Sequence, residues 1–413
     1  MKVLMVHKFY FIEGGAERYL FNLSGLLTKH GVEVVPFAMH HPRNVPTPYA
    51  RYFVSHFDPD VTLGRLDLRT GLRAVVRVIY SLEARRAIER LIEDERPDIA
   101  HVHGVYHHLS PSVLFALKRH GIPVVFTLHE YKILCPSYLF LNRHGEICEL
   151  CGGKRFWHPL KERCMKGSFA ASALVSAEAY IHRFLRTYRR TVDLYVSPSR
   201  FLRDKMIQYG FAPDKVIWLP YTIPIHEYVP SFQAGNYFTY VGRLSREKGV
   251  QLLIEAMTEV VGAELYVCGT GRLEEQLKRW VAARRLRNVR FLGHLASEQL
   301  RAVMRASMFT VVPSVVYDNS PLAVYESFAL GKPVAGAHIG GIPELIEAGQ
   351  DGVLFEPNNR VDLVRAINLL LSDRQRLEAM GRRARLKAER WFAPEEHLRR
   401  LMVVYRQVSG RGV

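Results

Sequence analysis

Residues 309–336 read FTVVPSVVYDNSPLAVYESFALGKPVAG, and this stretch decides the fold. Residues 309–312, three of them apolar, form a short buried strand. Ser320 followed by Pro321 marks a helix start, with the serine as N-cap and the proline in the first turn. The residues after it are largely apolar, Gly331 stops the helix, and 333–336 form a second strand. A short apolar strand, a helix and another apolar strand make one unit of a parallel sheet. The same alternation extends in both directions. Upstream, strands are expected at 237–241, 264–268 and 289–292, and downstream at 353–355. In the first half they are expected at 3–6, 32–37, 99–103, 123–128, 193–196 and 215–219, with helices at about 16–29 and 71–95. Residues 221–235 carry two Pro, a Gly and no period, the marks of a linker between two such sets.

The predicted fold class is therefore α/β, with two tandem Rossmann-like, doubly wound domains facing across a cleft. The first spans 1–228 and includes a Cys-containing insert at about 131–170. The second spans 229–389. A helical tail, 390–413, is expected to pack back on the first domain. A chain of 413 residues is long enough for two cores. Open α/β sheets bind ligands at the carboxyl ends of their strands, so the cleft is the expected site.

Composition narrows the function. Apolar residues make up 48% and charged residues 23%, ordinary for a globular protein. No apolar run nears the roughly 20 residues of a membrane span, and the N-terminus lacks a signal-peptide pattern. These features lead to an expected cytoplasmic location. The net charge of +17 favours anionic partners. No zinc-finger, RRM or helix-turn-helix signature supports nucleic acid, which is not expected as a partner.

Three segments of the second half carry the chemistry. In 241–249, VGRLSREKG, Arg243 and Lys248 can supply a forked donor and a point charge to a diphosphate. In 268–271, CGTG, Gly269 lets the backbone approach a ligand closely. In the quoted stretch, free amides at the helix start can hold a phosphate. Asp318 can reach a sugar hydroxyl, and Glu326 can accept two hydrogen bonds from a ribose diol.

Together these segments resemble glycosyltransferase family 4, the large retaining family with the GT-B fold. The family's E-x7-E motif falls on Asp318 and Glu326, its Arg and Lys pair on Arg243 and Lys248, its Gly-rich loop on Gly14 and Gly15, and its active-site His on His129. Stretches 197–201, SPSRF, and 340–344, GGIPE, match further. Asp318 is one methylene shorter than the family's usual Glu. The resemblance implies catalysis by His129, Arg243, Lys248 and Asp318. It also implies donor binding by Gly14, Gly15, Gly269, Leu295, Asn319, Ser320, Pro321, Leu322 and Glu326. No cofactor is required for the chemistry. The implied partners are a UDP- or GDP-sugar donor and a glycan or lipid-linked acceptor, in synthesis of surface polysaccharide or glycoconjugate. An epimerase and a catalytically inactive nucleotide-sugar-binding protein of the same fold are the alternatives.

Two features stand outside this scheme. Cys135, Cys148, Cys151 and Cys164 have the spacing C-x12-C-x2-C-x12-C, close to a zinc-ribbon pattern, and suit a structural zinc. Free thiols or a redox-sensitive pair are the alternatives. Residues 65–90 alternate Arg with Val, Leu and Ile. They read either as a basic helix lying on an anionic membrane face or as an ordinary helix packed on the sheet. His103 and His107 are candidates for the acceptor pocket.

Overall fold

The computed structural model describes residues 1–58, 68–233 and 235–410, except for the side chains of 68–73. The chain divides into two compact units. Unit 1 is Met1–Pro220 together with the chain from His397 onward, and unit 2 is Tyr221–Glu396.

Unit 1 is built on a six-stranded sheet of β1 Lys2–His7, β2 Glu33–Phe37, β3 Ile99–Gly104, β4 Val124–Thr127, β5 Leu194–Ser197 and β6 Val216–Trp218, in the order β2-β1-β3-β4-β5-β6. Every pairing is parallel. Val3, Leu4, Val6, Val102, Val125 and Phe126 are fully buried, as continuous apolar strands covered on both faces should be. The tail helix Pro394–Ser409 is tied to this unit by buried polar contacts. Tyr405 Oη lies 2.6 Å from His101 Nδ1, and His397 is bonded to Tyr19 at 2.9 Å and to the Pro220 carbonyl at 2.9 Å.

Unit 2 repeats the design with β7 Tyr237–Val241, β8 Glu264–Cys268, β9 Val289–Gly293, β10 Thr310–Val312, β11 Val334–Ala337 and β12 Gly352–Phe355, in the order β12-β11-β10-β7-β8-β9. These pairings are parallel as well. All twelve expected strands form, and both sheets belong to the expected α/β class.

Several local expectations are corrected. The helix expected over 71–95 is two helices, Leu68–Ile79 and Leu82–Glu95. Ser81 divides them by capping the second: its hydroxyl accepts from Ala84 N at 3.1 Å, while its own N–H donates to Ser110 Oγ at 2.8 Å. A cap bond competes with continuing the first helix. The stretch 221–233 belongs to unit 2, with Tyr221, Ile223 and Tyr228 buried, and the units divide at Pro220/Tyr221. The tail helix begins at Pro394, because the preceding helix Arg374–Trp391 ends before it.

Candidate functional site

In unit 2 the chain enters at β7, winds outward through β8 and β9, then crosses back so that β10 pairs on β7's other side. The loops leaving β7 and β10 therefore diverge around a switch point at the carboxyl edge, where such sheets bind ligands. The loops themselves are locked together. Gly249 sits at φ 66°, and a Cβ there would lie 1.8 Å from the Pro313 carbonyl oxygen. The Val315 N–H donates to the Glu247 carbonyl at 3.1 Å.

This clamp places Lys248 Nζ 2.5 Å from Asp318 Oδ2, and the Ser314 hydroxyl donates to the same oxygen at 2.7 Å. The Gly341 N–H holds the Asp318 carbonyl at 2.8 Å. Burial alone would push the Asp318 carboxyl up. The charge and hydrogen bond of Lys248, the Ser314 hydroxyl and the charge of Arg243 outweigh it and hold it below the ordinary Asp value. The site thus presents a fixed carboxylate beside two cations. Arg243 is 71% exposed, with Glu247 3.7 Å away. Lys248 is the more buried of the two and makes the closer ion pair.

Glu326 lies within the helix Leu322–Ala329 and is buried, with Tyr228 Oη donating to its Oε1 at 3.3 Å. Asn319, Ser320 and Leu322 are also buried. The expected cap at Ser320 is corrected: Pro321 occupies the N-cap position without a side-chain cap bond, and the Ser320 hydroxyl pairs with Tyr325 Oη at 2.7 Å. A buried tyrosine hydroxyl needs a partner, and Ser320 supplies it. Gly269 has a structural reason for its identity. At φ 139°, a Cβ would stand 2.0 Å from the Gly242 carbonyl oxygen, so glycine lets the β7 and β8 loops touch. Leu295 is half-buried between β9 and the helix Ser297–Ala306.

In unit 1 the switch point lies between β1 and β3. After β1, Gly14 caps the helix Gly15–Lys29, and its N–H donates to Glu17 Oε2 at 2.9 Å. The other oxygen of Glu17 is 3.5 Å from His7 Nε2. His129, just past β4, has its Nε2 2.9 Å from His103 Nδ1, and the rings of His101 and His103 stack beside them at 4.3 Å. Burial first, then the charges of His7 and Lys8, lower the His129 pKa to about 3. His129 is therefore a neutral ring at neutral pH, able to hold or pass a hydrogen bond but carrying no charge.

His103 serves as His129's partner. His107 is not free to line a pocket: its Nε2 is 2.9 Å from Glu178 Oε2 in a buried network where Lys132 Nζ reaches the same oxygen at 2.6 Å. Sequence reasoning missed Ser314, Tyr228 and the Lys132–Glu178 pair. Ser314 stands four residues before Asp318 and could have been suspected. The others meet across 98 and 46 residues of chain, with no local signal.

None of the four clustered cysteines is joined in a disulfide; Cys135 and Cys151 are buried and Cys148 and Cys164 half-buried. Of the basic helix, residues 65–67 and the side chains of Arg69 and Arg73 lie outside the described residues. In the described part Ala74 and Val78 are buried. Arg77 donates to the Ser55 carbonyl at 2.6 Å and lies over the Phe57 ring. Arg86 and Arg90 are exposed. Among the described residues no helix is long and apolar enough to cross a membrane.

Residues 14–222 match the model of the glycosyl transferase 4-like domain, and residues 225–387 match that of glycosyl transferases group 1. The sulfoquinovosyl transferase of Arabidopsis thaliana is 27% identical over 72% of this chain and 54% of its own length. The glycogen synthase of Mycobacterium tuberculosis is 34% identical over 35% of this chain and 36% of its own. The chain thus spans about half or less of the length of these curated relatives. Among solved structures, sucrose-phosphate synthase from Thermosynechococcus elongatus superposes with a TM-score of 0.74 over all of both chains at 17% identity. The Anabaena protein HepE, solved with UDP and glucose, gives 0.66 over 98% of this chain and 100% of its own at 18% identity. With a domain model covering half the chain and a second covering most of the remainder, the chain belongs to the family-4 type of glycosyltransferases with the GT-B fold.

Proposed function

We propose that this chain is an active glycosyltransferase. It moves a hexosyl group from a UDP- or GDP-sugar onto a glycan or lipid-linked acceptor, with retention at the anomeric carbon, in synthesis of surface polysaccharide or glycoconjugate. The observation that carries this reading is the Lys248–Asp318 pair, 2.5 Å apart at the switch point of the second sheet. It sets a cation and an oriented carboxylate where such a sheet binds a nucleotide.

In this reading Lys248 and Arg243 stabilise the charge that builds on the leaving diphosphate, so the chemistry requires no cofactor. Asp318 orients a hydroxyl of the transferring sugar. Glu326, held by Tyr228, accepts from the ribose diol, and the 319–322 backbone and the Gly269 loop support the phosphates. The acceptor side falls to unit 1, with neutral His129 as its candidate residue and the loop at Gly14 and Gly15 beside it. The sulfoquinovosyl transferase and the glycogen synthase among its relatives, and the UDP bound to HepE, support a nucleotide-sugar donor. A lipid-linked acceptor suits a peripheral position on an anionic membrane face, with Arg86 and Arg90 as the candidate contact.

The test is a thermal-shift screen of UDP-, GDP- and ADP-sugars, followed by measurement of nucleoside diphosphate release. Slow release without acceptor and stimulation by an acceptor extract are expected. An epimerised donor formed without acceptor would replace the transferase reading with an epimerase. Binding with no release under any condition would leave an inactive sugar-nucleotide binder.

A further inference from the structure

The helix Phe169–Phe184 of unit 1 turns its apolar side outward. Ser168 starts it, the hydroxyl accepting from Ala171 N at 3.3 Å. At about 3.6 residues per turn, Phe169, Ala170, Ala177, Tyr180, Ile181 and Phe184 fall on one arc of about 120°. All six are exposed to solvent, Phe184 to 87%. The opposite face is buried, and it carries the polar residues Ser172, Ser176, Glu178 and His182. A surface helix of a globular protein ordinarily shows the reverse arrangement.

The polar face is held in place. Glu178 Oε2 accepts from Lys132 Nζ at 2.6 Å and lies 2.9 Å from His107 Nε2. The Ser172 hydroxyl accepts from Met165 N at 3.2 Å, and His182 Nδ1 lies 3.1 Å from Thr187 Oγ1. Turning the helix to bury its apolar arc would pull Glu178 from both partners and leave Lys132 buried without its carboxylate. The arc therefore stays outside, and exposed apolar surface continues beside it. The short helix His158–Glu162 packs against this helix, and Phe156 meets the Tyr180 ring at 5.5 Å. Trp157, next to Phe156, is 48% exposed. An exposed apolar patch rimmed by polar residues marks an interaction surface.

Charge decides what covers it. Between residues 154 and 190 the carboxylates are Glu162 and the buried Glu178. Against them stand Arg163 and Lys166 before the helix and Arg183, Arg186 and Arg190 after it, all exposed. A second copy of the chain fits poorly, because a two-fold contact would set these cations against themselves. An anionic bilayer suits both features. Phe and Ile side chains enter the acyl boundary, Tyr and Trp sit at headgroup level, and Arg side chains reach lipid phosphates. We propose that the outer face of Phe169–Phe184, with Trp157 beside it, docks this chain on an anionic lipid bilayer. The helix of 16 residues, about 24 Å long, lies along the membrane surface. The proposal rests on the peripheral position proposed above and gives it a contact different from Arg86 and Arg90.

The experiment incubates the full chain with sucrose-loaded vesicles of phosphatidylcholine, alone or mixed with phosphatidylglycerol, and measures binding by cosedimentation. Binding to the mixed vesicles is expected to be at least about tenfold tighter than to phosphatidylcholine alone, and to weaken with salt. Ile181→Ser/Phe184→Ser should weaken it about tenfold or more. Arg183→Glu/Arg186→Glu should weaken binding to the mixed vesicles by a similar factor. These side chains are exposed, so both variants should keep the parent's circular dichroism. Phe184→Trp, which removes no apolar surface, should gain fluorescence quenching by brominated lipid over the parent. Parental binding by both double variants would overturn the proposal, and so would a Phe184→Trp protein that binds vesicles without added quenching. If only Arg86→Glu/Arg90→Glu releases the chain, the membrane position stands and this contact falls. A parent chain that does not bind the mixed vesicles removes both. Dimers that Ile181→Ser/Phe184→Ser disperses, without vesicle binding, would assign the patch to a second copy and overturn the proposal. None of these readouts depends on sugar transfer.

Discussion

Replacing Lys248 with Ala separates two roles for one side chain. Lys248 is 28% exposed and its partner Asp318 is 12% exposed, with 2.5 Å between Nζ and Oδ2. Breaking a fully buried pair costs about 3–5 kcal/mol, while an exposed pair contributes about 1 kcal/mol or less. This pair lies between those limits, and Asp318 keeps the Ser314 hydroxyl at 2.7 Å. The stability loss should therefore be about 1–2 kcal/mol, too little to unfold unit 2 at 25 °C. Removing a preorganised stabiliser of developing charge costs about 3 kcal/mol in the barrier, so turnover should fall at least about a hundredfold. A double-mutant cycle then decides how Lys248 acts. If the lysine only orients Asp318, adding Lys248→Ala to Asp318→Asn changes nothing further. If it meets the diphosphate directly, the second substitution costs about another hundredfold. The assay is steady-state release of nucleoside diphosphate from the donor that the thermal-shift screen selects, with circular dichroism as the check on folding. Near-normal turnover in both Lys248→Ala and Arg243→Ala would refute the reasoning, and so would a double variant no slower than Asp318→Asn.

Asp318→Glu restores the residue common in the family but pushes the carboxylate past the Lys248–Ser314 pair. A kcat loss of about tenfold is expected, since misplacement near 1 Å is costly, and unchanged kcat would show that position 318 needs only a charge. Gly249→Ala should destabilise unit 2 by more than about 2 kcal/mol, because its Cβ would meet Pro313 O at 1.8 Å. Gly262→Ala has a similar positive φ but nothing within 4 Å, and should cost only about 1 kcal/mol in denaturant melts. Lys132→Met leaves Glu178 buried and should cost about 3–5 kcal/mol, while Lys132→Met/Glu178→Leu should recover most of that. Burial raises the Glu178 carboxyl, but Lys132 and His107 outweigh it and lower it to about 2. Its contribution is therefore complete above the ordinary Glu range and lost as pH falls toward 2. Acid melts of the Lys132→Met protein should begin at higher pH than those of the parent.

The sequence by itself determined the two sheets. Strands such as Val3–Val6 and Val334–Ala337 are buried on both faces, so they read as uninterrupted apolar runs between helices. It also placed Arg243, Lys248, Asp318 and Gly14 on loops after strands, because a parallel sheet sends every such loop to one edge. What the sequence could not determine is which side chains meet. The break at Ser81 depends on Ser110, a residue on another element, and the true partner of Ser320 is Tyr325 rather than its own helix start. The pairing of Lys248 with Asp318 spans 70 residues, and that of Tyr228 with Glu326 spans 98. Local propensity and periodicity carry no information over such separations, because these contacts form only once strand order has brought distant loops together. The tertiary structure alone decided that Tyr228 holds the buried Glu326, and that His129 leans on His103. It likewise decided that Lys132 and His107 meet at one buried oxygen of Glu178. Each follows from the same physical demand, that a polar group taken out of water must find a partner wherever the fold puts one.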